Sequence, residues 1–136
     1  MHRFIRAIDE LWGVAFLGIV MTVIVGCASR PQRAGPVNPS VAREALRASL
    51  ESWKKGEQMR SLRERSPAII VQDLDWEAGY RLTDYQIIGD GKDDTVNLRC
   101  PVQLTLVDTQ GHQVKKKVRY IVSTDPGITV FREISM

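Results

Sequence analysis

Acidic and aromatic side chains lie together in the stretch DLDWEAGYRL. Its carboxylates belong to Asp73, Asp75 and Glu77, and its rings to Trp76 and Tyr80. Acids beside aromatic rings can form a general acid–base site or a surface on which a sugar ring stacks. In a strand the three acids would share one face, whereas in a helical turn the two rings would share one. We favour a structural interpretation, in which the rings close the end of a sheet and the acids remain in water.

A second group of candidate residues is basic and lies on the predicted strand QVKKKVRYIVS. Lys115, Lys117 and Arg119 alternate along it, and Lys116 is out of the pattern. Such a strip can bind lipid phosphates, an anionic polysaccharide or an acidic protein. The alternative, which we favour, is a charged outer face that protects the sheet from edge aggregation.

The remaining reactive side chains are isolated. Cys100 falls within an apolar alternation, so we expect a core thiol and not a nucleophile. His2 and His112 are far apart, and no Cys/His cluster has metal-ligand spacing, so we predict no metal site, no catalytic constellation and no cofactor. The loop GDGKDD lacks the ligand alternation and the closing Glu of an EF-hand and is interpreted as a solvated hairpin.

The N-terminal segment has the pattern of an export signal. A short basic start precedes an uncharged apolar run of sixteen residues, LWGVAFLGIVMTVIVG. This length is typical of a signal segment and is slightly short for a helix that crosses a hydrocarbon core of about 30 Å. The run ends in Ile24-Val25-Gly26-Cys27, which resembles the lipobox of bacterial lipoproteins.

The lipobox resemblance implies that Cys27 carries a diacylglycerol group, that the chain is cleaved before it and that the new N-terminus is acylated, for example with palmitate. Several acyl chains hold a protein firmly, whereas one holds it marginally. An uncleaved anchor helix ending at Cys27 stays open, because Asp9 and Glu10 lie just before the apolar run. Both alternatives place the rest of the chain outside the cytoplasmic membrane. Ala28 favours the outer membrane in a bacterium with two membranes.

Length and composition are those of one small domain. The chain has 136 residues and a net charge of +3, which argues against a nucleic-acid partner. We divide it into a signal segment or membrane anchor over residues 1–27, a Pro- and Gly-containing flexible linker over 28–39 and a folded domain over 40–136.

The folded domain begins with an amphipathic helix from Val41 to Lys55, with Ser40 as N-cap and Gly56 as C-terminal stop. Strand patterns follow, and Pro101 within the longest of them marks a bulge or a stretch of edge. The last strands are joined by tight turns and should be antiparallel neighbours. These patterns predict an α+β fold, in which an N-terminal amphipathic helix packs on a curved antiparallel sheet of 4–5 strands.

This order of elements resembles cystatin-like and nuclear-transport-factor-2-like domains. The segments SWKKGE, DLDWEAGYRL and VRYIVSTDPGITVFR also resemble uncharacterised small proteins of environmental bacteria. The larger fold family contains isomerases, dehydratases and many non-enzymatic binding modules. Its enzymes commonly direct an Asp and a His or Tyr into a cone-shaped cavity, but no His lies in a predicted strand here.

We therefore expect a membrane-anchored lipoprotein of the cell envelope that acts as a non-enzymatic binding or assembly module. Its partners would be the membrane, through Cys27, and an envelope protein or anionic polymer. One alternative is a small-molecule-binding or weakly catalytic domain that uses Asp73, Asp75 or Tyr85 in a pocket. Another is a subunit of a membrane complex held by an uncleaved helix.

Overall fold

The computed structural model describes residues 31 and 33–134, and the predicted signal segment with Cys27 lies outside this part of the chain. The fold is mixed α+β with a strongly curled, half-barrel sheet, so the predicted class and sheet curvature are confirmed. The elements in chain order are α1 (Pro39–Lys54), a 3₁₀ helix (Met59–Glu64), β1 (Ile69–Gln72), α2 (Leu74–Glu77), β2 (Arg81–Ile87), β3 (Lys92–Asp93), β4 (Leu98–Val107), β5 (Gln113–Ser123) and β6 (Ile128–Arg132). No helix within the described residues is both long enough and apolar enough to span a membrane.

The sheet has the strand order β1-β6-β5-β4-β2, and the two-residue strand β3 pairs with β4 beside β2. The pairs among β2, β4, β5 and β6 are antiparallel, but β1 runs parallel to β6. The prediction of an entirely antiparallel sheet is therefore wrong at this edge. Tight turns determine the direction of strands that follow each other, whereas β1 and β6 come from opposite ends of the domain.

Helix α1 begins two residues earlier than the sequence pattern indicated. The side chain of Asn38 is the N-cap and accepts hydrogen bonds from the backbone N–H groups of Ser40 and Val41 at 3.1 and 3.2 Å. Pro39 then occupies the first helical turn, where its missing N–H costs nothing. The predicted cap at Ser40 is wrong for this reason, whereas Gly56 has the predicted left-handed backbone, with φ of +80°.

The core lies between α1 and the inner face of the sheet. Strand β4 supplies alternate side chains from Leu98 to Leu106, all of which are buried. Cys100 is among them, and burial raises the pKa of its thiol, as expected for a core cysteine. The buried residues of α1 that face this strand layer are Ala42, Ala45, Leu46, Ser49, Leu50, Ser52 and Trp53.

The position of Pro101 agrees with a stretch of edge and not with a bulge. Its carbonyl accepts a hydrogen bond from Ile88, one residue beyond the end of β2, and its pairing with Arg119 on β5 is regular. The proline nitrogen, which has no hydrogen to donate, thus lies where the β2 ladder ends. The irregularity of the sheet is instead between Leu82 and Asp84 on β2.

The segment before α1 has no regular secondary structure, but its last residues bind the domain. Val37 is buried and donates its N–H to the carbonyl of Thr95 at 2.8 Å. Gly35 donates to the Asp125 carboxylate at 2.5 Å, and a Cβ at this position would lie 2.6 Å from the same oxygen. The chain thus enters the domain at the end of the sheet that carries the β5–β6 turn.

Candidate functional site

Asp73 lies at the junction of β1 and α2 and is almost completely buried, at 3% exposure. One oxygen of its carboxylate accepts from the backbone N–H groups of Asp75 and Trp76, at 2.9 and 3.1 Å, which makes it the N-cap of α2. The other oxygen accepts from the hydroxyl of Tyr120 at 2.5 Å. Burial and the Asp73 charge raise the pKa of Tyr120 well above its usual value, so Tyr120 keeps its proton and remains a donor.

Arg132 joins Asp73 to Asp75. Its guanidinium donates to Asp73 at 3.3 Å and makes a shorter contact with Asp75. Lys116 donates to both oxygens of Asp75 at 3.0 Å. Burial alone would raise the pKa of the Asp75 carboxyl, but the hydrogen bonds and charges of Arg132 and Lys116 outweigh burial and lower it. We call Asp73, Asp75, Lys116, Tyr120 and Arg132 the acid cluster.

The environment of Lys116 explains why a charged residue interrupts the alternation of β5. It lies on the inner face of the strand between Val114 and Val118, where its neighbours are apolar. Its ammonium group lies 5.2 Å from the centre of the Tyr80 ring, within the range of a cation–π contact. A lysine on the inner face needs an acidic partner, so this position is the sequence signal that leads to Asp75.

A cleft of about 690 Å³ opens beside the acid cluster, and we call it the acid cleft. Asp73, Asp75, Lys116 and Arg132 line it, together with two exposed apolar residues. These are Leu74, at 61% exposure, and Ile134, at 70%. The cleft therefore combines paired charges with a small apolar rim.

The charges of the acid cluster are matched, two carboxylates with two cations. Within the described part of the chain, every fully buried side-chain nitrogen and oxygen has a hydrogen-bond partner. The expectation that these acids remain in water is therefore wrong for Asp73 and Asp75, whereas Glu77 is exposed. The cause is the short helix α2, which turns the first two carboxylates toward the sheet.

The aromatic residues of the same stretch lie on a different side of α2. Trp76 stacks on Trp53 of α1, with ring centres 5.2 Å apart and planes within 3° of parallel. The Trp53 indole donates to the carbonyl of Tyr80 at 2.8 Å, and the Trp76 indole donates to that of Glu57 at 3.1 Å. Trp76 and Tyr80 pack against the core and are partly buried.

A second cleft, of about 1000 Å³, lies along these rings, and we call it the aromatic cleft. Its lining runs from the end of α1 into the 3₁₀ helix and from Trp76 to the start of β2. Glu77 lines both clefts, so α2 forms the boundary between them. Asp73 and Asp75 thus line one cleft and Trp76 and Tyr80 line the other, although the Tyr80 ring also contacts Lys116 of the acid cluster.

Tyr85 lines neither cleft. Its hydroxyl donates to the carboxylate of Glu51 on α1 at 2.6 Å. Burial and the neighbouring carboxylate raise the pKa of Tyr85 to about 12. Tyr85 therefore fastens β2 to α1 and is not brought to the acid cluster.

The basic strip lies on the outer face of β5, as the alternation predicted. Lys115, Lys117 and Arg119 are exposed there. Arg119 forms an ion pair with Glu133 at 2.7 Å, and Glu133 also binds Arg99 at 2.7 Å. Part of the strip is thus already neutralised by a neighbouring acid.

Among the other acidic residues, Asp94 has partners within its own turn and the adjoining strand. Asp94 in the β3–β4 turn accepts hydrogen bonds from the backbone of Asn97 and from the side chain of Arg99, and these contacts lower its pKa. Within residues 33–134, no group of three or more His, Cys, Asp or Glu side chains is arranged to hold a metal ion. Comparison with protein-family models, curated proteins and solved structures finds no match to this chain.

Proposed function

We propose that this protein is a lipoprotein of the bacterial cell envelope, anchored through Cys27, whose domain is a non-enzymatic binding or assembly module. The anchor rests on the apolar run that ends at Ile24-Val25-Gly26-Cys27. The membrane is then one partner, and an envelope protein or an anionic polymer is the other. The finer fold assignment, cystatin-like or nuclear-transport-factor-2-like, belongs to the same proposal and is supported by a helix lying against a curled sheet.

The pairing of the acid cluster is the observation that carries the binding role. A general base must be free to accept a proton and should have a pKa near the working pH. Asp75 is held by Lys116 and Arg132, and these cations lower its pKa. Asp73 is committed to the α2 cap and to Tyr120. These carboxylates are therefore suited to a structural role, in which they hold α2 in place between the acid cleft and the aromatic cleft, and not to proton transfer.

The anchor is tested by intact-mass analysis of the full chain extracted from membranes. A chain that begins at Cys27 and carries acyl groups is the expected result. Cys27→Ala should abolish the added mass and the cleavage, and Cys100→Ala, which removes the buried thiol, should leave both unchanged. A chain that retains Met1 and carries no lipid would overturn the lipoprotein assignment and favour an uncleaved helix in a membrane complex.

The acid cleft favours a second candidate function, a small-molecule-binding or weakly catalytic domain. Its volume of about 690 Å³ lies within the range typical of ligand pockets. The proposal of a non-enzymatic module would fail if a turnover were found that Asp75→Asn abolishes and Glu64→Gln preserves. Both variants remove one carboxylate charge, but Glu64 is exposed and lines neither cleft.

A further inference from the structure

The aromatic cleft contains a flat apolar surface that is held in place before any ligand arrives. Trp53 is buried, at 3% exposure, and covers one face of the Trp76 ring. Trp76 itself is only partly buried and lines the cleft. Both indole N–H groups are bound to backbone carbonyls. Since the rings need not be ordered on binding, stacking against Trp76 avoids part of the usual entropic cost.

The charged side chains around this surface are mainly positive. The lining contains four cations, Lys54, Lys55, Arg60 and Arg81, and two acids, Glu57 and Glu77. Glu57 is already paired with Arg65 at 2.8 Å, and Lys54 lies 4.0 Å from Asp84.

Three of these four cations form no ion pair within the described part of the chain. Among the described residues, Lys55, Arg60 and Arg81 have no carboxylate oxygen within 4.0 Å, and all three are exposed. The carbonyl groups at the C-terminus of α1 carry partial negative charge, which would repel an anion. This repulsion is weakened because three of these carbonyls accept hydrogen bonds from the backbone N–H groups of Lys55, Gly56 and Glu57. A ligand with carboxylate groups would therefore meet uncompensated positive charge.

We propose that the aromatic cleft binds a segment of an acidic glycan. A sugar ring stacks on Trp76 through its apolar face, and carboxylates on the same or neighbouring sugars pair with Lys55, Arg60 and Arg81. Aromatic stacking and charge-assisted hydrogen bonds together account for both kinds of lining residue. This inference specifies the ligand of the proposed binding module and rests on that proposal, because the domain would encounter acidic glycans only outside the cytoplasmic membrane.

The test uses the fluorescence of the full chain in detergent micelles. The sequence has three tryptophans, and cleavage before Cys27 removes Trp12; if the segment is retained, Trp12→Phe likewise leaves only Trp53 and Trp76, the stacked pair. Titration with hexagalacturonate should change their emission saturably, with half-saturation at or below ~1 mM, and added salt should weaken binding. Maltohexaose, which lacks carboxylates, should bind at least about tenfold more weakly.

The matched variants separate this cleft from general positive charge. Arg60→Gln with Arg81→Gln should weaken hexagalacturonate binding by about tenfold or more, since both side chains are lost from the cleft. Lys115→Gln with Lys117→Gln removes the same charge from the outer face of β5 and should leave binding within about twofold. All four side chains are exposed, so the variants should stay folded.

Three results would overturn the assignment. They are the absence of saturable binding, equal weakening by the two double variants, and tighter binding of oligo(dT), which would indicate a nucleic-acid surface. None of them bears on lipidation of Cys27. The wider binding role would still stand if envelope partners were captured through the acid cleft or the basic strip.

Discussion

At the scale of single residues, the buried carboxylate of Asp73 joins α2 to β5 and β6. It accepts four hydrogen bonds, from the backbone of Asp75 and Trp76 and from the side chains of Tyr120 and Arg132. An ionised carboxylate can be buried only when it is paired in this way. Burial of Asp73 therefore depends on each of these donors, because loss of one donor leaves a carboxylate oxygen without a full set of hydrogen bonds.

Tyr120→Phe tests this dependence. The variant removes one hydroxyl from a buried site and should lower the free energy of unfolding by about 1–3 kcal/mol. Tyr85→Phe is the matched control, because it removes the same atom from a partly exposed bond to Glu51 and should cost at most about 1 kcal/mol. Urea unfolding of both variants measures the difference, and equal losses would contradict the role given to Asp73.

Asp75 provides the pH dependence. Because its pKa is lowered in the folded protein, its charge stabilises the fold above the pKa of the unfolded chain, about 4, and this contribution is lost as the pH falls through the folded value. Asp75→Asn should reduce the unfolding free energy at pH 7 by about 1–3 kcal/mol, and the difference from wild type should narrow below about pH 4.

The control for this measurement is Glu77→Gln, which removes an exposed carboxylate of the same helix. Its stability profile should follow the wild type. Some acid sensitivity should persist in Asp75→Asn, since the pKa values of Asp94 and Asp108 are also lowered in the folded state. A constant gap between wild type and Asp75→Asn from pH 7 to pH 2 would show that the charge of Asp75 is not the cause.

At the scale of elements, the direction of β1 determines where the acid cluster forms. Gln72 is in register with Phe131, so the parallel pairing brings the next residues, Asp73 and Arg132, to the same end of the sheet. In an antiparallel pairing the carboxyl end of β1 would lie beside the start of β6. Helix α2 then continues from β1 and directs Asp75 toward Lys116.

The start of α1 gives a second prediction at this scale. Asn38→Ala should destabilise the protein by about 1 kcal/mol, because two backbone N–H groups lose the side-chain oxygen that caps them. Ser40→Ala should change stability little, since Ser40 is exposed and lies inside the helix. Thermal unfolding of the pair distinguishes the observed cap from the one that the sequence pattern indicated.

At the scale of the whole molecule, the segment before α1 is part of the folded unit. Val37 lies in the core cluster although no regular element contains it. Gly35 and Asn38 add hydrogen bonds to Asp125 and Thr124 across 90 and 86 positions of the chain. The clefts lie toward the opposite end of the sheet, because Lys116 is near the start of β5 and Thr124 follows its end.

Val37→Ala tests the contribution of this segment. Deleting two buried methyl groups should lower the unfolding free energy by about 1–2 kcal/mol. Val41→Ala deletes the same atoms from a side chain that is 40% exposed, on a helix where alanine is favoured, and should be neutral or slightly stabilising. Similar losses in both variants would show that Val37 does not belong to the core in solution.

The elements that depend on local patterns could be predicted from the sequence. Alternation from Leu98 to Leu106 requires a strand with one buried face, and the spacing from Ala42 to Trp53 requires a helix with one buried side. Val41, the first residue of the predicted helix, is 40% exposed, whereas Ala42 beside it is buried. The cap was misplaced since Pro39 can begin a helix.

What the sequence alone determined is therefore the class of the fold, the run of strands and the candidate residues around Asp73 and Trp76. Periodicity records which side of an element is buried, and turn residues record where neighbouring strands reverse. Only the tertiary structure decided that β1 lies parallel to β6, that Arg132 and Lys116 neutralise the acids, and that Trp76 stacks on Trp53 of α1. These contacts join residues far apart in the sequence, for example 41 positions for Asp75 and Lys116 and 59 for Asp73 and Arg132, and no local pattern encodes such pairings.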